Sequence, residues 1–379
     1  MSGRQATEIA WDVRSEPVVE TVTDSSEAEA SAPASQLGCY VLPGGTRSPR
    51  RAVGQARAAE ALGLGTVWIG ERYDTKDLPS LAGALSQVTD RARIGAAVTH
   101  VGTRHPMALA SMGQTLQDLS GGRFLLGFGR SASWRWRAYG LAEPTSRVLA
   151  DTVDVLRRLW AGDTVSYDGP AGHFPELRLG ERPDVPPPPV LLAAVGPRTL
   201  AVAGRAFDGV ILHPFLTPDA VGRSVAAVHE AARAAGRDPA ALRCYATVVV
   251  APDRPAGDVA VAVGARAAGY LQVEGLGDAL VGANGWDPAA LARYRSQPAL
   301  AGLGGRSAAR TLRRAEMVAL GRTLPDRWLP SSSAVGDAAA CARRLDEYLD
   351  AGADELVLHG STADDLAGVV AAFEDGRAA

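Results

Sequence analysis

The chain is poor in the residues that build covalent cross-links and structural metal sites. Its 379 residues include three cysteines, Cys39, Cys244 and Cys341, which are widely spaced and form no CxxC pair. An odd number of distant cysteines predicts neither a disulfide framework nor a zinc knuckle. We therefore expect free thiols and a location in the reducing cytoplasm.

Lysine is also nearly absent. Of the 39 basic residues only Lys76 is a lysine, and with abundant alanine and glycine this composition is typical of a GC-rich, actinobacterial-type genome. A phosphate site must therefore be built from arginine, backbone N–H groups or hydroxyls. The formal net charge of −3 gives no indication of nucleic-acid binding.

Segments that would anchor the chain in a membrane or export it are missing as well. No apolar run reaches the roughly 20 residues that span a bilayer, and residues 1–10 lack the basic and then apolar pattern of a secretory signal. Residues 1–36 are acidic and rich in small side chains, so they bury too little apolar surface to offset the entropy of ordering. We predict a disordered N-terminal extension over 1–36 and a single folded domain over 37–379, with no membrane partner.

Short apolar runs alternate with longer amphipathic stretches from residue 37 onward. Eight strands are predicted, at Gly38–Pro43, Thr66–Gly70, Arg93–Thr99, Phe124–Gly129, Pro189–Val195, Gly209–His213, Arg243–Val250 and Glu355–His359. Most are continuously apolar, which is typical of parallel strands buried on both faces. Helices fit between them, with prolines at helix starts such as Pro106, Pro197 and Pro218. The pattern predicts the α/β class and a (β/α)8 TIM barrel.

An open doubly wound sheet is the alternative to a closed barrel. No GxGxxG turn follows the first strand, and this argues against a dinucleotide-binding sheet. Two stretches interrupt the repeat: the proline-rich connection Trp160–Pro189, and a helical and loop-like insertion at about 269–333 between the seventh and eighth strands. Loops of this length in a compact domain are usually lids or binding loops.

Polar side chains gather where the predicted strands end, which is the functional end of an α/β barrel. They are Glu71, Arg72, Tyr73 and Asp74 after the second strand, Thr99, His100, Thr103, Arg104 and His105 after the third, Arg130, Ser131, Ser133, Trp134, Arg135, Trp136 and Tyr139 after the fourth, and His213 and His359. The first strand carries no HxH pair, so we expect no metal site. A structural role for any one histidine, and simple loop packing of the aromatic residues, are the alternatives.

The segment Ala193–Val210 places a helix start directly after a strand. Val195 and Gly196 end the strand, and Pro197 opens the helix beside Arg198. The N–H groups of a helix N-terminus bind anions, and a bare glycine backbone lets a flat ring approach. The segment predicts such a contact, with an ordinary strand-to-helix turn as the alternative.

Three motifs together resemble the bacterial luciferase-like flavin monooxygenase superfamily. They are WIGER at residues 68–72, RHPMALASMGQTLQDLSGGRFLLGFGRS at 104–131 and AAVGPRTLAVAGRAFDGVIL at 193–212. Within the superfamily the chain is most similar to the oxidoreductases that use the deazaflavin coenzyme F420. The resemblance extends from about Gly38 to the C-terminus and implies a barrel, commonly a homodimer, that holds the ring at its mouth.

The resemblance also implies where the coenzyme binds. The ring would lie against a bulge at Ala97-Val98, where the family often has a cis peptide, with Thr99 and His100 on the same wall. Backbone contacts to the ring or ribityl chain would come from Ala193, Ala194, Val195 and Gly196, and the phosphate region matches His213, Pro214 and Phe215. The implied cofactor-binding set also includes Arg130, Ser131, Pro197 and Arg198.

Two acid–base positions of the family's sugar-phosphate dehydrogenases are changed in this chain. Their Asp-His pair after the second strand is Glu71-Arg72 here, and a glutamate after the fourth strand is Ala132. Arginine stays protonated and cannot act as a base near neutral pH. We therefore predict His100 as the proton-transfer residue, because histidine titrates unaided near neutral pH.

Three functions are compatible with these residues. The first is a reductase or dehydrogenase that transfers a hydride between coenzyme F420 and a small organic substrate. In it Glu71 bonds the ring edge, Arg72 and Arg135 hold an anionic substrate, and an aromatic wall is formed by Trp134, Trp136 and Tyr139. The second is an FMN-dependent two-component monooxygenase of the same superfamily. The third is a non-catalytic barrel that binds a cofactor or a partner.

Overall fold

The computed structural model describes residues 35–43, 48–181 and 184–378. The disorder predicted for residues 1–36 falls almost wholly outside these ranges and stays a prediction. Within the described ranges, no helix is both long and apolar enough to cross a membrane.

The strands form a closed barrel and a separate hairpin. They are β1 (Leu37–Tyr40), β2 (Thr66–Ile69), β3 (Arg93–Ala96), β4 (Phe124–Phe128), β5 (Val165–Gly169), β6 (Gly172–Leu177), β7 (Val190–Ala194), β8 (Gly209–Leu212), β9 (Arg243–Pro252), β10 (Ala334–Gly336) and β11 (Glu355–His359). Eight of them pair in the order β1-β2-β3-β4-β7-β8-β9-β11, and β11 returns to β1. Every pairing around this ring is parallel, so the predicted TIM barrel is confirmed and an open sheet is excluded.

Side chains fill the inside of the barrel. One buried cluster consists of Trp68, Ala97, Leu125, Leu191, Ile211, Tyr245 and Val357. Gly95 makes room for the largest of these side chains, because a Cβ on Gly95 would lie 2.3 Å from the Trp68 ring. Tyr40, Val98 and Ala193 pack on the cluster and remain partly exposed. The barrel is therefore a packed core whose upper layer forms the floor of the mouth.

Helices connect successive strands and cover the outside of the barrel. They are α1 (Arg51–Ala61), α2 (Leu78–Ser86), α3 (Pro106–Leu119), α4 (Ser133–Tyr139), α5 (Ser146–Ala161), α6 (Pro197–Ala206), α7 (Pro218–Ala234), α8 (Ala256–Val259), α9 (Ala265–Leu271), α10 (Leu276–Asn284), α11 (Pro288–Arg295), α12 (Pro298–Ala301), α13 (Ala308–Thr311), α14 (Arg314–Gly321), α15 (Trp328–Ser331), α16 (Ala338–Asp350) and α17 (Ala363–Ala378). The prolines expected to open α3, α6 and α7 each occupy the first turn.

Several strands end earlier than predicted, and the remaining residues line the mouth. β3 stops at Ala96 rather than Thr99, and Thr99 keeps only an isolated pairing with Phe128. β7 ends at Ala194 and β8 at Leu212, one residue short of the prediction in each case. Hydrophobicity reports burial and not strand pairing, so an apolar run does not mark where the ladder of hydrogen bonds ends.

The described parts of the two irregular stretches form regular elements. The connection Trp160–Pro189 contains the antiparallel hairpin β5–β6, which the sequence pattern misses because most of its side chains are exposed. Between β9 and β11, helices α8 to α15 run from Ala256 to Ser331, so the helical insertion begins before residue 269. β10 then pairs with the end of β9 and leads into α16.

Candidate functional site

The segment after β3 is held at the mouth by hydrogen bonds from β1 and from the loop after β2. The peptide bond between Ala97 and Val98 is cis. The Tyr40 hydroxyl donates to the Ala97 carbonyl at 2.7 Å, and the Glu71 amide donates to the Val98 carbonyl at 3.2 Å. Both carbonyls at this bulge are thus fixed by hydrogen bonds from Tyr40 in β1 and from Glu71 after β2.

Among the residues that the structure describes, four non-glycine residues adopt positive φ, and each follows a barrel strand. They are Leu42 after β1, Ser131 after β4, Phe215 after β8 and Asp253 after β9, with φ values of 50°, 60°, 68° and 49°. Such conformations are costly for residues with a Cβ and concentrate at functional sites. Their common location at the mouth supports a site there.

Glu71 is buried in a network of hydrogen bonds. One carboxylate oxygen accepts from the Leu78 amide at 3.0 Å. The other accepts from Thr99 Oγ1 at 3.1 Å and from Arg104 Nη1 at 2.7 Å. Arg104 also binds Asp77 at 2.9 Å. Both carboxylate oxygens accept from protein donors, so Glu71 ties together the segments after β2 and β3.

His100 is buried beside aromatic rings and belongs to a closed chain of hydrogen bonds. Its Nδ1 lies 3.2 Å from the Tyr73 hydroxyl, which lies 2.7 Å from Thr103 Oγ1. Thr103 in turn donates to the His100 carbonyl at 2.9 Å. The hydroxyl hydrogen of Thr103 is used in this bond, so Thr103 Oγ1 accepts the hydroxyl hydrogen of Tyr73. The Tyr73 oxygen then accepts from His100, which donates from Nδ1. This assignment leaves Nε2 as an acceptor.

His100 is expected to remain neutral across the physiological range. Burial, helped by the charges of Arg135 and Arg104, lowers the pKa of His100 to about 3. Long-range ¹⁵N–¹H NMR of the imidazoles should therefore show the neutral Nδ1–H form of His100 unchanged from pH 8 to pH 5. A midpoint near 6.5, or the other neutral tautomer, contradicts this description of the site.

The loop after β4 contributes a partly buried aromatic group. Trp136 is buried, donates from its indole nitrogen to the Arg130 carbonyl at 2.6 Å, and packs edge-on against His100. Tyr139 makes an edge contact with Tyr73 at 5.7 Å. The predicted aromatic wall thus includes Trp136, whose indole nitrogen is already engaged within the loop.

Trp134 has a different environment in the same loop. The guanidinium groups of Arg135 and Arg310 lie 5.4 and 5.6 Å from its ring centroid. Arg310 belongs to α13 and pairs with Asp74 after β2 at 3.3 Å. The insertion therefore reaches over the mouth and touches the loops after β2 and β4.

The turn from β7 into α6 has no side chain that caps the helix. Gly196 is the N-cap of α6 and makes no side-chain capping bond, while Pro197 and Arg198 are exposed. A Cβ on Gly196 would meet only Ala279 Cβ, at 3.8 Å. The first-turn N–H groups of α6 have no side-chain acceptor at this cap, and a group with acceptor oxygens can approach them.

The segment after β8 is closed by aromatic contacts from the insertion. His213 Nδ1 lies 2.9 Å from the Pro214 carbonyl, and burial lowers the pKa of His213 to about 4. Tyr270 of the insertion packs edge-on against the His213 ring at 4.7 Å and lies 6.1 Å from Phe215. A neutral His213 supplies a hydrogen-bond acceptor for this wall, not a positive charge.

Four further residues line the mouth that the sequence analysis did not select: Tyr40, Lys76, Arg266 and Tyr270. Tyr40 is the last residue of β1, and its ring lies 4.4 Å from His359, at the end of β11. Arg266 and Tyr270 stand four residues apart in α9, a spacing that puts them on one helix face. Strand-end position could have identified Tyr40, but nothing in the sequence pattern brings α9 to the mouth.

A cavity of about 640 Å³ lies elsewhere, between the insertion and α16. Val263, Val318, Leu329, Val335 and Arg343 are among its lining residues, and none of the predicted site residues lines it. Groups of histidine, cysteine and carboxylate side chains suited to a metal ion are absent from the described part of the chain. The candidate site therefore remains the mouth.

A parallel barrel whose polar and conformationally unusual residues gather at one end defines a TIM-barrel enzyme. The chain belongs to the luciferase-like monooxygenase family, whose family model matches residues 27–355. This confirms the family that the motifs indicated, although the family's name covers several chemistries.

Relatives in this family are named as reductases and dehydrogenases, so an oxidoreductase is confirmed as the class. A 5,10-methylenetetrahydromethanopterin reductase from Methanolobus tindarius is 28% identical over 80% of this chain and 87% of its own length. An F420-dependent hydroxymycolic acid dehydrogenase from Mycobacterium tuberculosis is 32% identical over 54% of this chain and 61% of its own length. The structure of a coenzyme F420-dependent tetrahydromethanopterin reductase from Methanopyrus kandleri has a TM-score of 0.71 at 20% identity, covering 90% of this chain and 98% of that one. That structure supports the fold alone.

Proposed function

We propose that the chain is a coenzyme F420-dependent oxidoreductase that transfers a hydride to or from a small organic substrate at the mouth of its barrel. The observation that carries the proposal is a pair of backbone segments with only small side chains, Ala97-Val98 and Ala193–Gly196. They are neighbours across Gly129, where a Cβ would lie 2.5 Å from Val98 and 3.6 Å from Ala193. Together they offer a flat ring two walls without bulky side chains.

The residues present suit the two chemically distinct parts of this coenzyme. The uncapped N-terminus of α6, with Arg198 exposed beside it, suits a phosphate. The open space at Gly196 allows that phosphate to reach backbone N–H groups. The scarcity of lysine is no obstacle, because backbone and arginine supply every donor needed.

The coenzyme supplies hydride chemistry at C5 of its ring, and the protein supplies position and electrostatics. Tyr40 and the Glu71 amide fix the wall at Ala97-Val98. Glu71 is a positioning residue in this scheme, because its carboxylate is bound by Arg104, Thr99 and Leu78.

Three further side chains act on the substrate in this scheme. His100 Nε2 accepts a hydrogen bond from a substrate hydroxyl and so orients the carbon that gains or loses the hydride. Arg135 stabilises negative charge that develops on the substrate oxygen, and Arg72 holds an anionic group of the substrate. Trp136 and Tyr139, packed against His100 and Tyr73, exclude water from that side.

Anaerobic turnover tests this function. Purified protein with reduced coenzyme F420 and a panel of enones, imines and carboxylated acceptors should show loss of the reduced coenzyme without oxygen. Oxygen uptake with FMN and a partner reductase, and no reaction with coenzyme F420, would establish the monooxygenase instead. Binding of the coenzyme without turnover of any acceptor would favour the non-catalytic alternative.

A further inference from the structure

Three cationic side chains, those of Arg72, Lys76 and Arg266, lie close enough to His359 on one side of the mouth for their charges to lower its pKa. Arg72 and Lys76 lie in the loop after β2, and their backbones pair with each other. Arg266 reaches in from α9, placing Nη1 2.9 Å from His359 Nε2 and Nη2 3.2 Å from the Pro43 carbonyl. Lys76 Nζ lies 3.2 Å from the Leu42 carbonyl. Elements distant along the chain thus bring these four residues, here called the mouth cation cluster, to one place.

The charges of the mouth cation cluster lack carboxylate partners. In the described part of the chain, no carboxylate oxygen lies within 4.0 Å of Arg72, Lys76 or Arg266. Glu71 is near enough to act on Lys76, but its carboxylate is bound by Arg104. Burial and the charge of Arg72 lower the pKa of Lys76 to about 8, so Lys76 is still a cation at pH 7. Uncompensated cations that crowd together in a partly buried site are typical of anion binding.

His359 adds a buried donor that has no partner. Arg266 can only donate, so His359 Nε2 accepts and the ring proton of the neutral imidazole lies on Nδ1. The residue is 8% exposed, and its Nδ1 makes no hydrogen bond to any described residue. A buried donor left unpaired in a folded protein calls for an explanation, and an absent ligand is one.

The mouth cation cluster has unused hydrogen-bond donors, and its two arginines are partly exposed. Arg266 uses three of the five N–H donors of its guanidinium, and Arg72 donates no hydrogen bond to a described residue. Arg72 and Arg266 are partly exposed, as are Tyr40 and Tyr270 beside them. An oxyanion entering here would meet guanidinium donors, with the buried ammonium of Lys76 and the buried imidazole of His359 close by.

We propose that the mouth cation cluster binds an oxyanion of the substrate, a carboxylate or a phosphate, while the hydride is exchanged. The proposal deepens the proposed function and rests on it for the word substrate. The site proposed for the coenzyme phosphate lies at the end of β7. In the ring of eight strands β1 stands opposite β7, with three strands between them in either direction, and β2 and β11 are the neighbours of β1. The cluster and the α6 N-terminus are therefore separate anion sites on opposite sides of the mouth.

The single lysine gives a direct readout of this site. Lysine labelled with ¹³C at Cε gives one protein signal, from Lys76, in a heteronuclear NMR spectrum of the full chain. Inorganic phosphate is the probe, titrated against chloride at constant ionic strength. The Lys76 signal should shift saturably, and the same titration with saturating coenzyme F420 should give the same dissociation constant.

Two variants and one matched control define the residues involved. Arg72→Gln and Arg266→Gln should each weaken phosphate binding about tenfold or more, the effect of losing a charge-assisted hydrogen bond. The Arg72 side chain makes no hydrogen bond to described residues, and its backbone bonds to Thr75 and Lys76 do not depend on the side chain, so Arg72→Gln should keep the fold even if Arg266→Gln does not. Arg254→Gln is the control, because Arg254 lies at the same end of the barrel and pairs with Asp365 at 3.0 Å. Its phosphate affinity should match that of the unmodified chain.

Some outcomes overturn the proposal. No saturable shift of the Lys76 signal, or equal weakening by Arg254→Gln, shows that the cluster is not an anion site. Displacement of phosphate by coenzyme F420 would show that the site binds the coenzyme, and the assignment to the substrate would then be wrong. Failure of coenzyme F420 to bind, measured separately by its fluorescence, refutes the proposed function while saturable phosphate binding keeps the anion site.

Discussion

Replacing Glu71 by glutamine should lower the free energy of unfolding by about 3 kcal/mol, the usual cost of breaking one partner out of a buried ion pair. The Glu71 side chain is fully buried and Arg104 is 18% exposed, so water cannot replace the lost charge well. A glutamine amide keeps only one acceptor oxygen, so in either orientation its NH2 group faces a donor that the carboxylate now accepts from, either the Leu78 amide or Arg104 Nη1. Urea or thermal unfolding of the purified variant measures the difference.

Glu347→Gln is the matched control for this substitution. Glu347 pairs with Arg344 on the exposed face of α16, and its loss should change the free energy of unfolding by less than about 0.5 kcal/mol. If Glu71→Gln is as stable as Glu347→Gln yet loses coenzyme affinity, Glu71 contacts the ring edge as the sequence analysis expected. Our assignment of Glu71 as a positioning residue would then be wrong.

Replacing Gly196 by aspartate should weaken coenzyme F420 binding about a hundredfold or more while leaving the fold intact. Aspartate is favoured at a helix N-cap, and the position has room for a side chain. Its carboxylate would bind the first-turn N–H groups that we assign to the coenzyme phosphate and would also repel that phosphate. Fluorescence titration with the coenzyme gives the affinity, and thermal unfolding checks the fold.

Gly196→Asn separates charge from size. Asparagine has nearly the same volume and is an equally good N-cap, so it should weaken binding about tenfold less than aspartate does. The gap between the two variants should narrow at high salt, because the repulsion is electrostatic. Equal affinities for Gly196→Asp, Gly196→Asn and the unmodified chain would place the coenzyme phosphate somewhere other than α6.

The eight barrel strands could be predicted from the sequence because parallel barrel strands are apolar on both faces. β4 and β11 are fully buried along their length and stand out as continuous apolar runs. The hairpin β5–β6 has mostly exposed side chains, so its pairing leaves no such signal. The end of β3 is invisible for another reason: Ala97 is apolar and buried although it lies outside the ladder.

The site could be predicted only in part. The position of a residue after a strand can be recognised in the sequence, but its contacts with residues distant along the chain cannot. Glu71, His100 and His213 follow β2, β3 and β8, and these positions could be predicted from the sequence. That Glu71 is occupied by Arg104, and that burial lowers the pKa of His100 to about 3, depends on packing that one sequence does not display. The contact of Arg266 with His359 joins an insertion helix to the last strand, and no periodicity predicts it.

The structure of the protein with coenzyme F420 bound tests the central claim most directly. We expect the deazaflavin ring against Ala97-Val98, its phosphate at the N-terminus of α6, and His100 and Arg72 facing the open side of the ring. A ring bound away from the mouth, for example in the cavity between the insertion and α16, would contradict the account. If FMN is bound at the same walls in place of coenzyme F420, the location of the site is correct and the identity of the coenzyme is wrong.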